Sequence, residues 1–204
     1  MSFAAFLSVV LIHLAAAISP GPSFVVSLRT AAAEGFAVAS ALALGFGLGA
    51  ALWATAAMAG IALLFELVPV LFTTMKLVGA AFLIFVAVMM WRHAKEPMQL
   101  VDTASPPRSA ASAIRFGFLT FATNPKPAIF FGAVFVGLVP AETPLAWKAA
   151  ILLAVFVNET LWYVIVARVF SLPRARAAYV RSKAWIDRSF GTLIALFGLK
   201  IATT

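Results

Sequence analysis

Cysteine is absent from this 204-residue sequence, and histidine and acidic residues are scarce. Without cysteine the protein has no disulfide, thiolate nucleophile or thiolate metal ligand. The two histidines, His13 and His93, lie far apart in the chain, and no cluster of histidine and acidic residues is present. Because metal and cofactor sites need several converging ligands, we predict neither a metal nor a cofactor.

Charge is also scarce, since only 11% of the residues are charged while 64% are hydrophobic. A soluble domain of this size has too little interior to bury so much apolar surface. Residues 35–65 and 77–91 contain no charged side chain at all. A membrane-spanning helix needs about 20 mostly apolar residues. The composition therefore predicts an all-α integral membrane protein in a lipid bilayer.

Six membrane spans can be placed in the chain. They cover approximately residues 3–33, 36–65, 69–91, 112–139, 145–170 and 184–202. No lysine or arginine precedes the first apolar stretch, so we interpret it as a span rather than a secretory signal.

Basic residues are distributed unevenly between the two faces that these spans define. The links after the first, third and fifth spans carry eleven lysines and arginines, and the opposite face carries three. Because basic residues concentrate in cytoplasmic loops, this bias places both termini outside the cytoplasm of a bacterial inner membrane. The basic and aromatic stretch at 174–188 suits a short helix on anionic headgroups. Nucleic-acid binding is not predicted, since the basic residues lie in the short loops between apolar segments.

The two halves of the chain share an internal repeat. Pro20-Gly21-Pro22 and Pro125-Lys126-Pro127 are 105 residues apart, and each lies in an apolar segment followed by two more spans. Three spans in each half give the halves opposite orientations, an arrangement common among secondary transporters. We therefore expect the following divisions: a first three-helix repeat at 1–91, a cytoplasmic linker at 92–111 and a second three-helix repeat at 112–204.

Paired prolines break a helix, because each lacks an amide donor and clashes with the preceding turn. Broken backbone at membrane depth is tolerated only where it is buried in protein or lines a wet cavity. We therefore expect one central site between the halves. Half-helices beginning after Pro22 and Pro127 would direct amides at an anionic group such as a substrate carboxylate. The alternative is that the prolines are ordinary structural kinks.

The sequence resembles the lysine-exporter (LysE/RhtB) superfamily of amino-acid efflux transporters. The matching segments are Ser19 to Pro22, Phe116 to Leu119 leading to Asn124-Pro125-Lys126, Gly79 to Leu83 and Gly191 to Leu199. They extend over nearly the whole chain. The resemblance implies export of amino acids or related small metabolites, driven by the proton gradient.

Ionisable residues inside spans are costly and usually face a cavity or a partner. Glu159 lies in the middle of the fifth span, and we predict that it is the proton-coupling group. The predicted substrate-binding residues are Pro20, Gly21, Pro22, Asn124, Pro125, Lys126, Asn158 and Trp162. The alternatives are a fixed Lys126–Glu159 ion pair and a Glu159 near the membrane interface. His13 is interpreted as a packing residue.

An intramembrane enzyme, a non-transporting scaffold and a channel are the competing interpretations. The enzyme would need a nucleophile with its base or a metal cluster, and the sequence offers neither pattern. The expected partners are therefore a small-molecule substrate, protons and the lipid bilayer, and a homodimer is possible. A face of small residues in the second span suits either close helix packing or a sliding surface. These residues are Gly45, Gly47, Gly49 and Gly60.

Overall fold

The computed structural model describes residues 1–18, 21–61, 69–95, 107–135, 138–140 and 142–203. Within these ranges the chain forms seven α-helices. They are α1 (Phe3–Ile18), α2 (Pro22–Ala56), α3 (Pro69–Arg92), α4 (Ala110–Ala122), α5 (Pro125–Ile129), α6 (Leu145–Phe170) and α7 (Pro173–Thr203). Two π-helical segments, Ala57–Ile61 and Phe130–Phe135, continue α2 and α5. The all-helical class is thus confirmed.

The first and fourth predicted spans are each divided into two helices. Gly21 is extended between α1 and α2, and Pro22 stands in the first turn of α2. Ser19 and Pro20 lie outside the described residues. The second break comes at Thr123 and Asn124, where α4 ends.

The predicted start of the second half-helix after Pro127 is wrong. Pro125 and Pro127 both stand in the five-residue helix α5, which begins at Pro125 with Asn124 as its N-cap. The first turn of a helix accepts proline because the amides there have no helical partner. The prolines therefore start the new helix instead of lying in the break.

Gly35 marks the turn between the first and second predicted spans. It has a φ of 85° within α2, whose two helical segments, 22–34 and 36–56, meet there. This left-handed region favours glycine, which has no Cβ to clash with the following carbonyl. The position agrees with the predicted boundary between residues 33 and 36.

The predicted spans at 69–91 and 145–170 agree closely with α3 and α6. The separate short helix expected at 174–188 is wrong, because α7 runs without interruption from Pro173 to Thr203. Lys183 holds this part of α7 against the end of α3, since its Nζ donates to the His93 carbonyl at 2.9 Å. Residues 62–65 and 96–106 of the predicted second span and linker lie outside the described residues.

Apolar side chains cover the outer surface of the bundle. On α6 the exposed stripe consists of Leu153, Val157, Leu161 and Ile165. The opposite, buried stripe consists of Ile151, Val155, Glu159 and Tyr163. Exposed apolar faces of this extent are typical of lipid-facing surfaces. Pro22–Ala59 and Leu145–Phe170 are both long and apolar enough to cross a membrane.

Glycines bring α2 into close contact with two neighbours. A Cβ on Gly45 would lie 2.7 Å from the Phe118 amide nitrogen of α4, and one on Gly49 would lie 2.8 Å from Phe121 Cβ. Gly47 instead faces Thr160 on α6. These residues therefore serve close helix packing, which holds α2 between α4 and α6.

Candidate functional site

A cavity with an empty volume of about 370 Å³ lies where the two broken helices meet α6. Its lining combines two opposite charges, an amide, two hydroxyls and several aromatic rings. The lining residues are His13, Ala16, Ala17, Gly21, Ser23, Phe121, Asn124, Lys126, Pro127, Phe130, Phe131, Glu159 and Tyr163. Residues from both helix breaks thus line one partly open pocket, whose few polar groups lie among apolar side chains.

Glu159 lies in this cavity on the buried stripe of α6, with only 3% of its surface exposed. Its Oε2 lies 3.6 Å from Nε2 of His13, which is 2% exposed. This separation permits an ion pair but is longer than a good hydrogen bond. A small shift would be enough to make or break the contact.

His13 is buried in the wall of this cavity. Its ring lies 5.7 Å from the ring of Phe130 and 5.7 Å from that of Phe131, measured between centroids. Its Nδ1 is buried and has no hydrogen-bond partner. Buried polar atoms are usually paired, so an unpaired one in a cavity wall points to a function or an unseen water.

Lys126 connects the cavity to the end of the first half-helix. Its Nζ donates to the Ala16 carbonyl at 3.0 Å, within the last turn of α1. The last carbonyls of a helix have no helical partner, and a cation near them is favourable. The ammonium group is also close enough to Glu159 for the two charges to attract each other. Lys126 thus stabilises the break and lines the cavity.

Gly21 leaves room for this lysine. A Cβ at Gly21 would lie 3.0 Å from Lys126 Cδ and 3.7 Å from its Nζ. Such a contact is tighter than ordinary packing, so a larger residue at Gly21 would displace the lysine side chain. Glycine at this position keeps the ammonium group in the cavity wall.

Asn124 joins the two breaks through both ends of its side-chain amide. Its Oδ1 accepts from the Lys126 backbone amide at 3.0 Å, and its Nδ2 donates to Ser23 Oγ at 2.9 Å. The hydroxyl of Tyr163 is also hydrogen-bonded to Ser23. Asn124 therefore acts as a helix cap and as a brace between α2 and α5.

Of the other predicted binding residues, Pro22, Asn158 and Trp162 are not among those that line the cavity. Pro22 and Pro125 stand in first turns of helices, and Pro20 lies outside the described residues. Asn158 points toward α1, where its Nδ2 donates to the Val10 carbonyl at 3.1 Å. Trp162 packs against the main hydrophobic cluster. These residues position the helices that surround the site.

The sequence profile of the LysE type translocator family matches residues 14–204. The chain belongs to this family. The translocator is 32% identical to a threonine efflux protein of Escherichia coli K12, over 96% of both chains. It is 31% identical to a threonine efflux protein of Salmonella typhi, again over 96% of both. An uncharacterized membrane protein, YahN, of Escherichia coli K12 shares 30% identity over 90% of this chain and 82% of that protein. No solved structure matches.

Several cavity residues of the translocator were not predicted from sequence. Tyr163 could have been predicted to line the cavity, because it lies one helical turn from Glu159 on the same face of the helix. Ser23 directly follows the first proline motif, so its place in the sequence could also have predicted that it lines the cavity. Phe130 and Phe131 contact His13 from a π-helical segment, and no sequence pattern predicted that segment. Such segments are frequent at functional sites.

A second polar cluster lies away from the cavity, at the end of the first helical segment of α2. Arg108 Nε donates to Glu34 Oε1 at 3.0 Å, and the Arg108 backbone amide donates to Oε2 at 2.9 Å. These hydrogen bonds hold the pKa of Glu34 below its usual value. The guanidinium group of Arg108 also donates to Thr30 Oγ1 at 3.3 Å and lies 4.4 Å from the centroid of the Phe116 ring. Within the described ranges, no group of three potential metal ligands comes together.

Proposed function

We propose that this translocator exports amino acids or related small metabolites in exchange for protons, by alternating access. The observation that carries the proposal is the cavity, where the buried carboxylate of Glu159 and the partly buried ammonium group of Lys126 meet beside two helix breaks. Membership of the LysE family and the threonine efflux proteins among its relatives support an amino-acid exporter.

The cavity has the charges that an amino-acid zwitterion requires. Glu159 is the group that binds the substrate ammonium, and Lys126 is the group that binds the substrate carboxylate. Because Asn124 is already hydrogen-bonded at both ends, its role is to hold the two half-helices around the substrate. Aromatic rings at Phe121 and Phe131 enclose the apolar part.

Proton coupling follows if the substrate ammonium and a proton compete for the same carboxylate. Without substrate, one proton resides on the pair formed by Glu159 and His13. When the substrate ammonium binds Glu159, that proton is released to the cytoplasm. The positive charge of the ammonium group thus takes the place of the proton. On the outer side a proton returns and the substrate leaves. Lys126 and Tyr163 are the other titratable groups that face this pair.

The helix contacts support the proposed inverted repeats. The second segment of α2 packs against α6, and α3 packs against α7. The predicted second and fifth spans are therefore in contact, as are the third and sixth, and this pairing suits two related halves. We therefore keep six spans, with repeats at 1–91 and 112–204 and a cytoplasmic linker at 92–111. The charge bias favours an inner membrane with both termini periplasmic. A homodimer remains a prediction.

Efflux from cells preloaded with a labelled amino-acid mixture tests the proposal. Wild type is compared with Glu159→Gln and Lys126→Met at matched expression, with and without an uncoupler. Matched controls are Glu142→Gln and Lys95→Met, because both of these side chains are exposed and lie outside the cavity.

We expect wild type and both controls to lower the internal level of one or a few amino acids. The two cavity variants and the uncoupler should abolish this efflux. Export that is unchanged in both cavity variants would keep the transporter but reject the site. If no solute moves under any condition, the scaffold and enzyme interpretations must be reopened.

A further inference from the structure

Four polar residues lie on one face of the first helical segment of α2. They are Ser23, Ser27, Thr30 and Glu34. Spacings of four, three and four residues keep them on the same side of a helix. The first three are at most 3% exposed, so this polar stripe faces the protein interior and not the lipid. Polar groups in such a position need either protein partners or water.

One member of the stripe has no partner. Ser27 is fully buried, yet its Oγ makes no hydrogen bond within the part of the chain that the structure describes. A serine hydroxyl can usually satisfy itself locally, and an unpaired buried one needs an explanation. A passing solute or a water would supply the missing hydrogen bond.

The stripe connects the cavity to the charged cluster. Ser23 lines the cavity, and Thr30 and Glu34 both accept hydrogen bonds from Arg108. At 1.5 Å per residue, the eleven steps from Ser23 to Glu34 rise about 16 Å. This distance is about half of the ~30 Å hydrocarbon thickness. The stripe therefore has the length of a route from the membrane midplane to the membrane surface.

We propose that this stripe is the cytoplasmic route to the cavity for water and the exported solute, and that Arg108 closes it by binding Glu34 and Thr30. The proposal rests on the proposed export function. A zwitterion crossing this distance exchanges hydrogen bonds with the hydroxyls of Ser27 and Thr30, while the charge pair blocks the outer end.

The partners of the closing contact come from different parts of the chain. Glu34 ends the first helical segment of α2, in the first repeat, whereas Arg108 lies in the linker, two residues before α4. A movement of one half against the other would separate them. Arg108 would keep its contact with Phe116 on α4 while it leaves Glu34. The pair therefore suits a contact that is made and broken in each transport cycle.

The absence of native cysteine makes this route directly measurable, because every introduced thiol is the sole one. Ser27→Cys is labelled with a small membrane-impermeant thiol reagent in inside-out membrane vesicles. Leu28→Cys is the matched control, since Leu28 is also fully buried but lies off the polar stripe. Both are combined with Arg108→Gln, and separately with Glu34→Gln, which removes the same contact from the other side.

We expect Ser27→Cys to react slowly with the native pair present and about tenfold faster in either gate variant, because the closed state loses its charge pair. Leu28→Cys should remain unreactive in every background. L-threonine, used as the probe solute, should slow the labelling of Ser27→Cys.

Equal labelling of Ser27→Cys and Leu28→Cys in a folded gate variant would overturn the proposal. Faster labelling from the outer side than from the cytoplasmic side would also overturn it. Because labelling does not require transport, the two proposals can fail separately. Proton-coupled export with an unreactive Ser27→Cys rejects only the route, whereas a gated route in a protein that moves no solute rejects only the export function.

Discussion

Gly45→Ala is the substitution whose effect the helix packing predicts most sharply. The new Cβ would lie 2.7 Å from the Phe118 amide nitrogen and still closer to the Ile114 carbonyl oxygen. Both are backbone atoms of α4, so no side-chain rotation can relieve the overlap. The helices must therefore separate by about 1 Å at this contact, which would also shift Phe121 in the cavity wall.

The size of the effect can be worked out from two opposing terms. Overpacking of a well-packed contact costs about 1–3 kcal/mol. Alanine recovers about 0.5–1 kcal/mol of this, because glycine is the poorer residue inside a helix. Because both overlapping atoms belong to the backbone, the cost lies at the upper end of its range, and we expect a net loss of roughly 2–2.5 kcal/mol in the free energy of unfolding.

Equilibrium unfolding of the purified protein in detergent measures this loss. Gly47→Ala is the matched comparison, because its new Cβ would meet the hydroxyl of Thr160, a side chain, and the Phe156 carbonyl at 3.0 Å. Adding Thr160→Ala should restore much of the stability of Gly47→Ala, whereas Gly45→Ala has no side chain to remove. A Gly45→Ala protein as stable as wild type would refute the backbone contact between α2 and α4.

Three further predictions concern charge and function. His13→Gln should leave downhill efflux of the exported amino acid measurable but insensitive to an uncoupler. His93→Gln, just beyond the end of α3 and outside the cavity, should remain sensitive. Equal sensitivity of the two variants would reject the role of His13. Gly21→Ala should slow efflux several-fold, because its Cβ would lie 3.0 Å from Lys126 Cδ and displace that side chain; an unchanged efflux rate would show that the lysine position is not important. Glu34→Gln should lower the unfolding temperature at neutral pH. The difference from wild type should vanish as the pH falls through the lowered pKa of Glu34, because the ion pair stabilises the fold only while this carboxyl group is ionised. A difference that persists in acid would contradict the ion pair.

Much of the fold could be predicted, because lipid demands long apolar helices and proline and glycine mark their ends. α3 and α6 agree with their predicted spans, and Gly35 separates the first two spans. The continuity of α7 could not be predicted, since the basic stretch at 174–188 is typical of a loop or a surface helix. It depends on tertiary contacts such as the one from Lys183 to the end of α3.

The candidate site was predicted in part. Gly21, Asn124, Lys126 and Glu159 do meet at the helix breaks, because prolines and intramembrane charges are visible in a sequence. The pairing of Glu159 with His13 was not visible, since it depends on how α1 packs against α6. Conversely, Asn158 and Trp162 are near Glu159 in sequence but point away from the cavity on the helix surface.

Transport in reconstituted liposomes is the most direct test of proton-coupled export through this cavity. Liposomes loaded with a labelled amino acid that the cell assay shows to be exported, together with a pH indicator, receive an inward proton gradient. Efflux of the amino acid and internal pH are followed together. The account predicts that the gradient accelerates efflux by wild type, that protons enter as the amino acid leaves, and that Glu159→Gln shows neither effect. Efflux by wild type at the same rate with and without the gradient would contradict the account.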